Sequence, residues 1–195
     1  APFPQWGWRQ RLEAQEKTKK PSSSAKKTKA ENFRGSTALD GKNRAGKTSP
    51  LTLLSRRQTD HRGTDAIGSA MILSYVPQDT SMLSGSLSEF AQAHHIEESL
   101  LKAILRKMGF SRMQFEKNME DFSAGQKKKV LLAKSLCEQA HLYVWDEPLN
   151  YIDIYSRMQI ENLIKEFSPT MIFVEHDLAF RNTIATKTVW MEDAA

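Results

Sequence analysis

Gly41-Lys42-Asn43-Arg44-Ala45-Gly46-Lys47-Thr48 fits the pattern G-x-x-x-x-G-K-[ST]. A short apolar stretch at 36–40 precedes it and a helix-compatible stretch from about 46 to 55 follows, so the reading is strand, glycine-rich loop, helix. In that context glycines let backbone amides turn towards a phosphate, and the N-terminus of the new helix adds partial positive charge. Lys47 would reach the terminal phosphates of a nucleotide and the Thr48 hydroxyl would ligate Mg2+. Gly41, Asn43, Gly46 and Ser49 complete the candidate cradle. Pro50 disturbs it, because a proline biases the residue before it away from the helical region and removes a helix donor.

Outward from the loop, short apolar runs alternate with longer helical ones, the mark of an α/β domain built on a largely parallel sheet. Strands are expected at 36–40, 71–76, 141–145, 170–175 and 187–191, and helices at about 46–55, 96–109, 124–138, 155–166 and 178–184. Ile96, Leu100, Leu101, Ile104, Leu105 and Met108 recur at three and four, which gives one apolar helix face within an inserted helical lobe at about 86–122. The methionines are read as packing residues.

With 195 residues and 39% hydrophobic content, the chain supports one domain with a true core and a short appendage. Residues 1–40 hold nine Lys/Arg against four Asp/Glu, so the whole formal excess of +5 lies there and the remainder is balanced. The Lys/Ser-rich stretch 1–33 is expected to be a flexible basic linker, and 34–195 the folded domain. A basic arm on a neutral domain is either solvated or laid against a polyanion such as RNA. Nothing approaches the roughly 18 uninterrupted apolar residues of a membrane-spanning helix, and a cytoplasmic protein without direct membrane insertion is expected. The single Cys137 lies in an apolar helical run, which excludes an internal disulfide and suits a small buried hydrophobe.

Leu142-Tyr143-Val144-Trp145-Asp146-Glu147 is an apolar strand ending in two carboxylates. Such a strand can deliver Asp146 to the Mg2+ shell and Glu147 to an attacking water; the plainer alternative is a strand end and an acidic turn closed by Pro148. Upstream, Phe122-Ser123-Ala124-Gly125-Gln126 opens a helix, and Ser123 with Gln126 three residues on has the form of a capping box that still presents amides to an anion. Lys127, Lys128 and Lys129 then oppose the helix dipole, so they face either a compensating anion or solvent. His94 and His95 have no accompanying carboxylate or cysteine pattern, and no metal site is expected there.

In their order and spacing these segments resemble an ATP-binding-cassette (ABC) nucleotide-binding domain, over residues 34–192. Gly41–Thr48 is similar to the Walker A loop, Gln78 to the Q-loop glutamine and Ser123-Ala124-Gly125-Gln126 to the signature motif. Asp146 and Glu147 match Walker B, Asp153 the D-loop aspartate and His176 the switch histidine. The run Asp146-Glu147-Pro148-Leu149-Asn150-Tyr151-Ile152-Asp153 resembles the ABC-F form, and the stretch from Ser123 to His176 looks most like the second cassette of ABC-F ribosomal-protection antibiotic-resistance proteins.

The resemblance implies a P-loop NTPase fold with an inserted helical lobe, with ATP and Mg2+ as cofactors. It implies Glu147, His176 and Gln78 as catalytic residues and Thr48, Gln78 and Asp146 around the metal. It further implies a second cassette as partner, whose site Ser123–Gln126 would complete, and the ribosome beyond it. Three departures stand out. Arg44 replaces a loop glycine, Ala124 replaces a signature glycine, and the N-terminal β region that carries the family's adenine-stacking aromatic is expected to be missing from the Lys/Ser-rich residues before Gly41, so no residue is assigned to the base. Two other readings remain open: the nucleotide-binding subunit of a membrane transporter, and a degenerate module that binds nucleotide without hydrolysing it.

Overall fold

The computed structural model describes residues 35–41 and 71–191. Five strands form one sheet: β1 (Ser36–Gly41), β2 (Leu73–Val76), β3 (Leu142–Asp146), β4 (Met171–Val174) and β5 (Lys187–Met191). Their order across the sheet is β2-β3-β4-β1-β5, and every neighbouring pair is parallel. Parallel neighbours need crossovers, which here are helical: α1 (Leu87–Ala93), α2 (Glu98–Lys107) and α3 (Ala124–Cys137) lie between β2 and β3. Helix α4 (Ile154–Phe167) joins β3 to β4, and α5 (Leu178–Ile184) joins β4 to β5. The α/β expectation therefore holds, with all five expected strands present to within a few residues.

β3 is buried at all five positions, as a strand covered on both faces must be. Leu142 and Val144 share one face with Val174, Leu39, Leu73, Tyr75 and Ile172. Trp145 takes the other face, where its indole donates to Ser135 Oγ of α3 at 2.8 Å, and Phe173 beside it meets Phe180 of α5 edge-on at 5.5 Å. Burying each of these large side chains stabilises the sheet by roughly 1.5–3 kcal/mol.

Between β2 and α3 the chain makes an apolar cluster of its own. Leu87 and Ala91 of α1 and Leu101, Ile104 and Leu105 of α2 are buried. Phe110 packs against Phe122 at 5.6 Å and Phe115 at 5.9 Å. The sequence periodicity located α2 but not the separate short helix α1, which Ser86 and Glu89 start with a capping box. Two 3-10 turns, Arg112–Glu116 and Met119–Asp121, complete the segment. The methionine expectation divides: Met108, Met119 and Met171 are buried, but Met82, Met113 and Met158 are half or more exposed, on turns and on the outer face of α4 where no core reaches.

Candidate active site

Because β2, β3 and β4 are adjacent and parallel, the loops after them leave the sheet at one edge, where α/β proteins hold their ligands. Gln78 follows β2, Asp146 and Glu147 end β3, and His176 follows β4. Gln78, 69 positions from Glu147 in sequence, and His176 meet at the Glu147 carboxylate. Glu147 Oε2 accepts from Gln78 Nε2 at 2.8 Å and from Asn150 Nδ2 at 2.5 Å, and its Oε1 lies 3.4 Å from His176 Nε2. Asp146 is 1% exposed directly before it.

Glu147 itself has a left-handed backbone, φ 45°. That conformation is uncommon for a residue with a Cβ and is stored where surrounding contacts over-determine it. Here the Glu147 amide donates to the Val174 carbonyl at 2.9 Å, so the turn at the end of β3 is pinned to β4 while its side chain is held by the three groups above.

A hollow of about 550 Å3 opens beside this set and is lined by Gln78, Ala124, Asp146, Asn150 and Tyr151. Gln78 and Asp146 are among its lining residues, and an amide oxygen and a carboxylate are hard donors that suit Mg2+, which keeps few protein ligands beside waters and phosphate oxygens. Among the described residues there is no cluster of three or more His, Cys, Asp or Glu side chains that could hold a metal by themselves. Gly41 closes β1 next to β4, with its backbone in register with Met191. Asn43, Gly46, Lys47, Thr48 and Ser49, with Arg44 and Pro50, lie outside the described residues.

Ser123 caps α3 through the expected box: its Oγ accepts from the Gln126 amide at 3.3 Å, and its own amide donates to Gln126 Oε1 at 2.9 Å. Gly125 has a separate reason to be glycine, since a Cβ there would stand 2.4 Å from the Tyr151 carbonyl oxygen. The signature turn and the loop carrying Asn150 thus touch backbone to side-chain-free backbone.

The lysine run divides: Lys129 meets an anion, the Asp153 carboxylate, whereas Lys128 is buried against backbone carbonyls and faces neither an anion partner nor solvent. Lys128 is 1% exposed and donates to the carbonyls of Pro77, at 2.8 Å, and Asp146, at 3.0 Å. Burial pushes its ammonium down to about 8, although Asp146, Glu147 and Glu175 favour the charged form. Lys129 donates to the Met108 carbonyl at 2.8 Å and pairs with Asp153 at 2.6 Å. Asp153 is the N-cap of α4, accepting from the Ser156 amide and hydroxyl. Partial burial alone would raise its pKa, but Lys129 and Ser156 outweigh that and hold it at about 2. Burial drives the Cys137 thiol the other way, up to about 12, consistent with an inert side chain.

Three further residues joined to the site were not foreseen. Asn150 grips Glu147, and Lys128 and Glu175 grip the backbone of the loops. Lys128 shares a helix face with Leu131, Leu132 and Ser135 at three, four and seven residues, all buried.

The sequence pattern of the ABC transporter family matches residues 34–150, more than half of the chain. The protein YdiF of Bacillus subtilis is 31% identical over 158 residues, covering 79% of this chain and 25% of that protein. The ATP-binding protein Uup of Caulobacter vibrioides is 28% identical over 155 residues, with the same two coverages of 79% and 25%. Relatives of ABC-F type are therefore among its homologues, and the chain spans about a quarter of the length of these two. Among solved structures the RNase-L Inhibitor superposes with a TM-score of 0.67 at 20% identity, over 81% of this chain and 32% of that one, a likeness of fold. Taken with the parallel sheet and its converging loops, the match over residues 34–150 shows that the chain belongs to the ABC transporter family and carries its ATP-binding cassette.

Proposed function

We propose that the chain is a catalytic ABC-F cassette that binds Mg-ATP, hydrolyses it in company with a second cassette, and serves a ribosome-associated parent protein of the ribosomal-protection, antibiotic-resistance kind. The observation that carries the catalytic part is the convergence of Gln78, Asn150 and His176 on Glu147, next to the buried Asp146. The ABC-F part rests on the run from Asp146 to Asp153 and on the relatives YdiF and Uup.

In this reading Asp146, Gln78 and Thr48 would hold Mg2+, which neutralises charge on the triphosphate when bound. Gly41, Asn43, Gly46, Lys47 and Ser49 would surround the phosphates, while Ser123, Ala124, Gly125 and Gln126 would face the nucleotide of the partner cassette. A carboxylate offers about four lone-pair sites, and three groups already surround that of Glu147. The remaining direction is suited to accepting a hydrogen bond from one water, so Glu147 orients the nucleophile for attack on the γ-phosphoryl. His176, whose side chain is 55% exposed, is free to turn from Glu147 towards the transferred phosphoryl group.

Titration of the chain with Mg-ATP, repeated on Lys47→Ala, tests the cradle. Saturable binding lost in the variant is expected; no binding by either protein would overturn the nucleotide reading, and binding without phosphate release would leave the degenerate module. Co-sedimentation of the intact parent with ribosomes, and not with membranes, is the expected result for the ABC-F assignment over the transporter-subunit one.

A further inference from the structure

Two charged side chains of opposite sign are buried behind the loops of the site. Lys128 is 1% and Glu175 6% exposed. Each spends its hydrogen bonds on loop backbone. Lys128 donates to the carbonyl of Pro77, the residue before Gln78, and to that of Asp146, the residue before Glu147. Glu175 Oε2 accepts from the Leu149 amide at 3.0 Å, two residues after Glu147. Its Oε1 accepts from the amides of His176, at 2.7 Å, and Asp177, at 3.2 Å. The three loops are thus fastened in series: Lys128 joins the Gln78 loop to the Glu147 turn, and Glu175 joins the Glu147 turn to the His176 loop.

Burying an ion is costly unless it is paired and hydrogen-bonded, so a hydrophobic residue would fill either place at less cost to folding. Both charges here are satisfied by charge-assisted bonds to main-chain groups, which are directional and short. Lys128 also feels the attraction of Asp146, Glu147 and Glu175. The order of connection follows the order in which Gln78, Glu147 and His176 meet, and no other described pair of buried charges spans those loops.

We propose that Lys128 and Glu175 are positioning residues that hold Gln78, Glu147 and His176 in register for catalysis. The inference rests on the nucleotide-site reading above and extends it to residues that touch neither the hollow nor the Glu147 carboxylate. A displacement of about 1 Å in such a constellation costs roughly 100-fold in rate. Loosening either fastener is therefore expected to lower kcat and leave KM and affinity nearly unchanged.

The test uses the full chain with Lys128→Met, Glu175→Gln and Glu175→Leu, and two readouts. The first is Mg-ATP affinity and single-turnover phosphate release. Phosphate release is expected to fall about 100-fold in Lys128→Met and Glu175→Leu, and less in Glu175→Gln, which keeps one acceptor oxygen, with affinity within about three-fold of wild type. The second is amide hydrogen exchange, which needs no nucleotide. The amides of residues 78–80, 147, 149–150 and 176–177 are expected to exchange at least about ten-fold faster while β3, β4 and α3 keep their protection. Folded variants with unchanged loop exchange overturn the proposal, as does a uniform rise of exchange over the whole domain, which would make both side chains simple core members. A wild-type chain that binds no Mg-ATP sinks the nucleotide reading, and the exchange pattern still decides whether these side chains hold the loops. If Lys128→Met does not fold, the two Glu175 variants decide.

Discussion

The edge of the sheet and the helical segment between β2 and α3 are held together by different physics. In the helical segment Leu101, Ile104, Leu105 and Met108 are at most 2% exposed and contribute by shape and area. At the sheet edge Gln78 and His176 are exposed, and beside the buried Pro77 and Pro148 order comes from directional bonds to Glu147 and from two buried charges. Packing energy is spread over many contacts and degrades gradually, whereas a directional network fails where one donor is removed. Substitutions in the two regions should consequently separate stability from chemistry.

The sharpest separation is expected from Glu147→Gln. Phosphate release should drop by about 100- to 10,000-fold while Mg-ATP affinity and the melting temperature stay near wild type, as read by single-turnover assay and calorimetry. Loss of affinity in parallel with rate would mean that the turn is structural and would erase the contrast. Leu105→Ala should do the reverse. It removes a fully buried side chain and should cost about 2–5 kcal/mol in denaturant unfolding, with the affinity of the folded fraction unchanged.

Gly125→Ala probes the border between the regions. The new methyl meets the Tyr151 carbonyl, a backbone atom that cannot step aside alone, so about 1–3 kcal/mol of destabilisation is expected together with a shifted environment of Asn150. NMR or exchange data showing an undisturbed 147–151 loop would disprove that coupling.

The smallest effect is the pH dependence of the Asp153–Lys129 pair. The folded pKa of Asp153 is depressed to about 2, so its contribution is fully present above the unfolded value, about 3.9, and is lost as pH falls through 2. The pair is half open to solvent, which limits it to under about 1 kcal/mol. Asp153→Asn keeps a good cap, and the wild-type advantage in unfolding free energy should be level from pH 7 to 5 and shrink between pH 4 and 2.

Much of this architecture is legible in the chain. The apolar run Leu142–Trp145 predicts a buried strand because period and length are local properties, and the same holds for the helix that Ser123 caps. The residues around Glu147 could be named from their motifs, since Gln78, Asp146 and His176 each sit at the end of a recognisable strand. The separate helix α1 was hidden because its seven residues give less than two turns of apolar period. Lys128 was hidden by its neighbours, Lys127 and Lys129, as three equal charges do not reveal which one points inwards.

By itself, then, the sequence determined the order of the five strands, the family and the carboxylates presented at the end of β3. Only the tertiary structure decided that Lys128 reaches a carbonyl 51 residues away, and that Glu175 turns back to hold the loop after Glu147. The reason is physical: strand and helix follow from spacing along the chain, but a buried charge is satisfied by whichever backbone groups the packed sheet brings within reach.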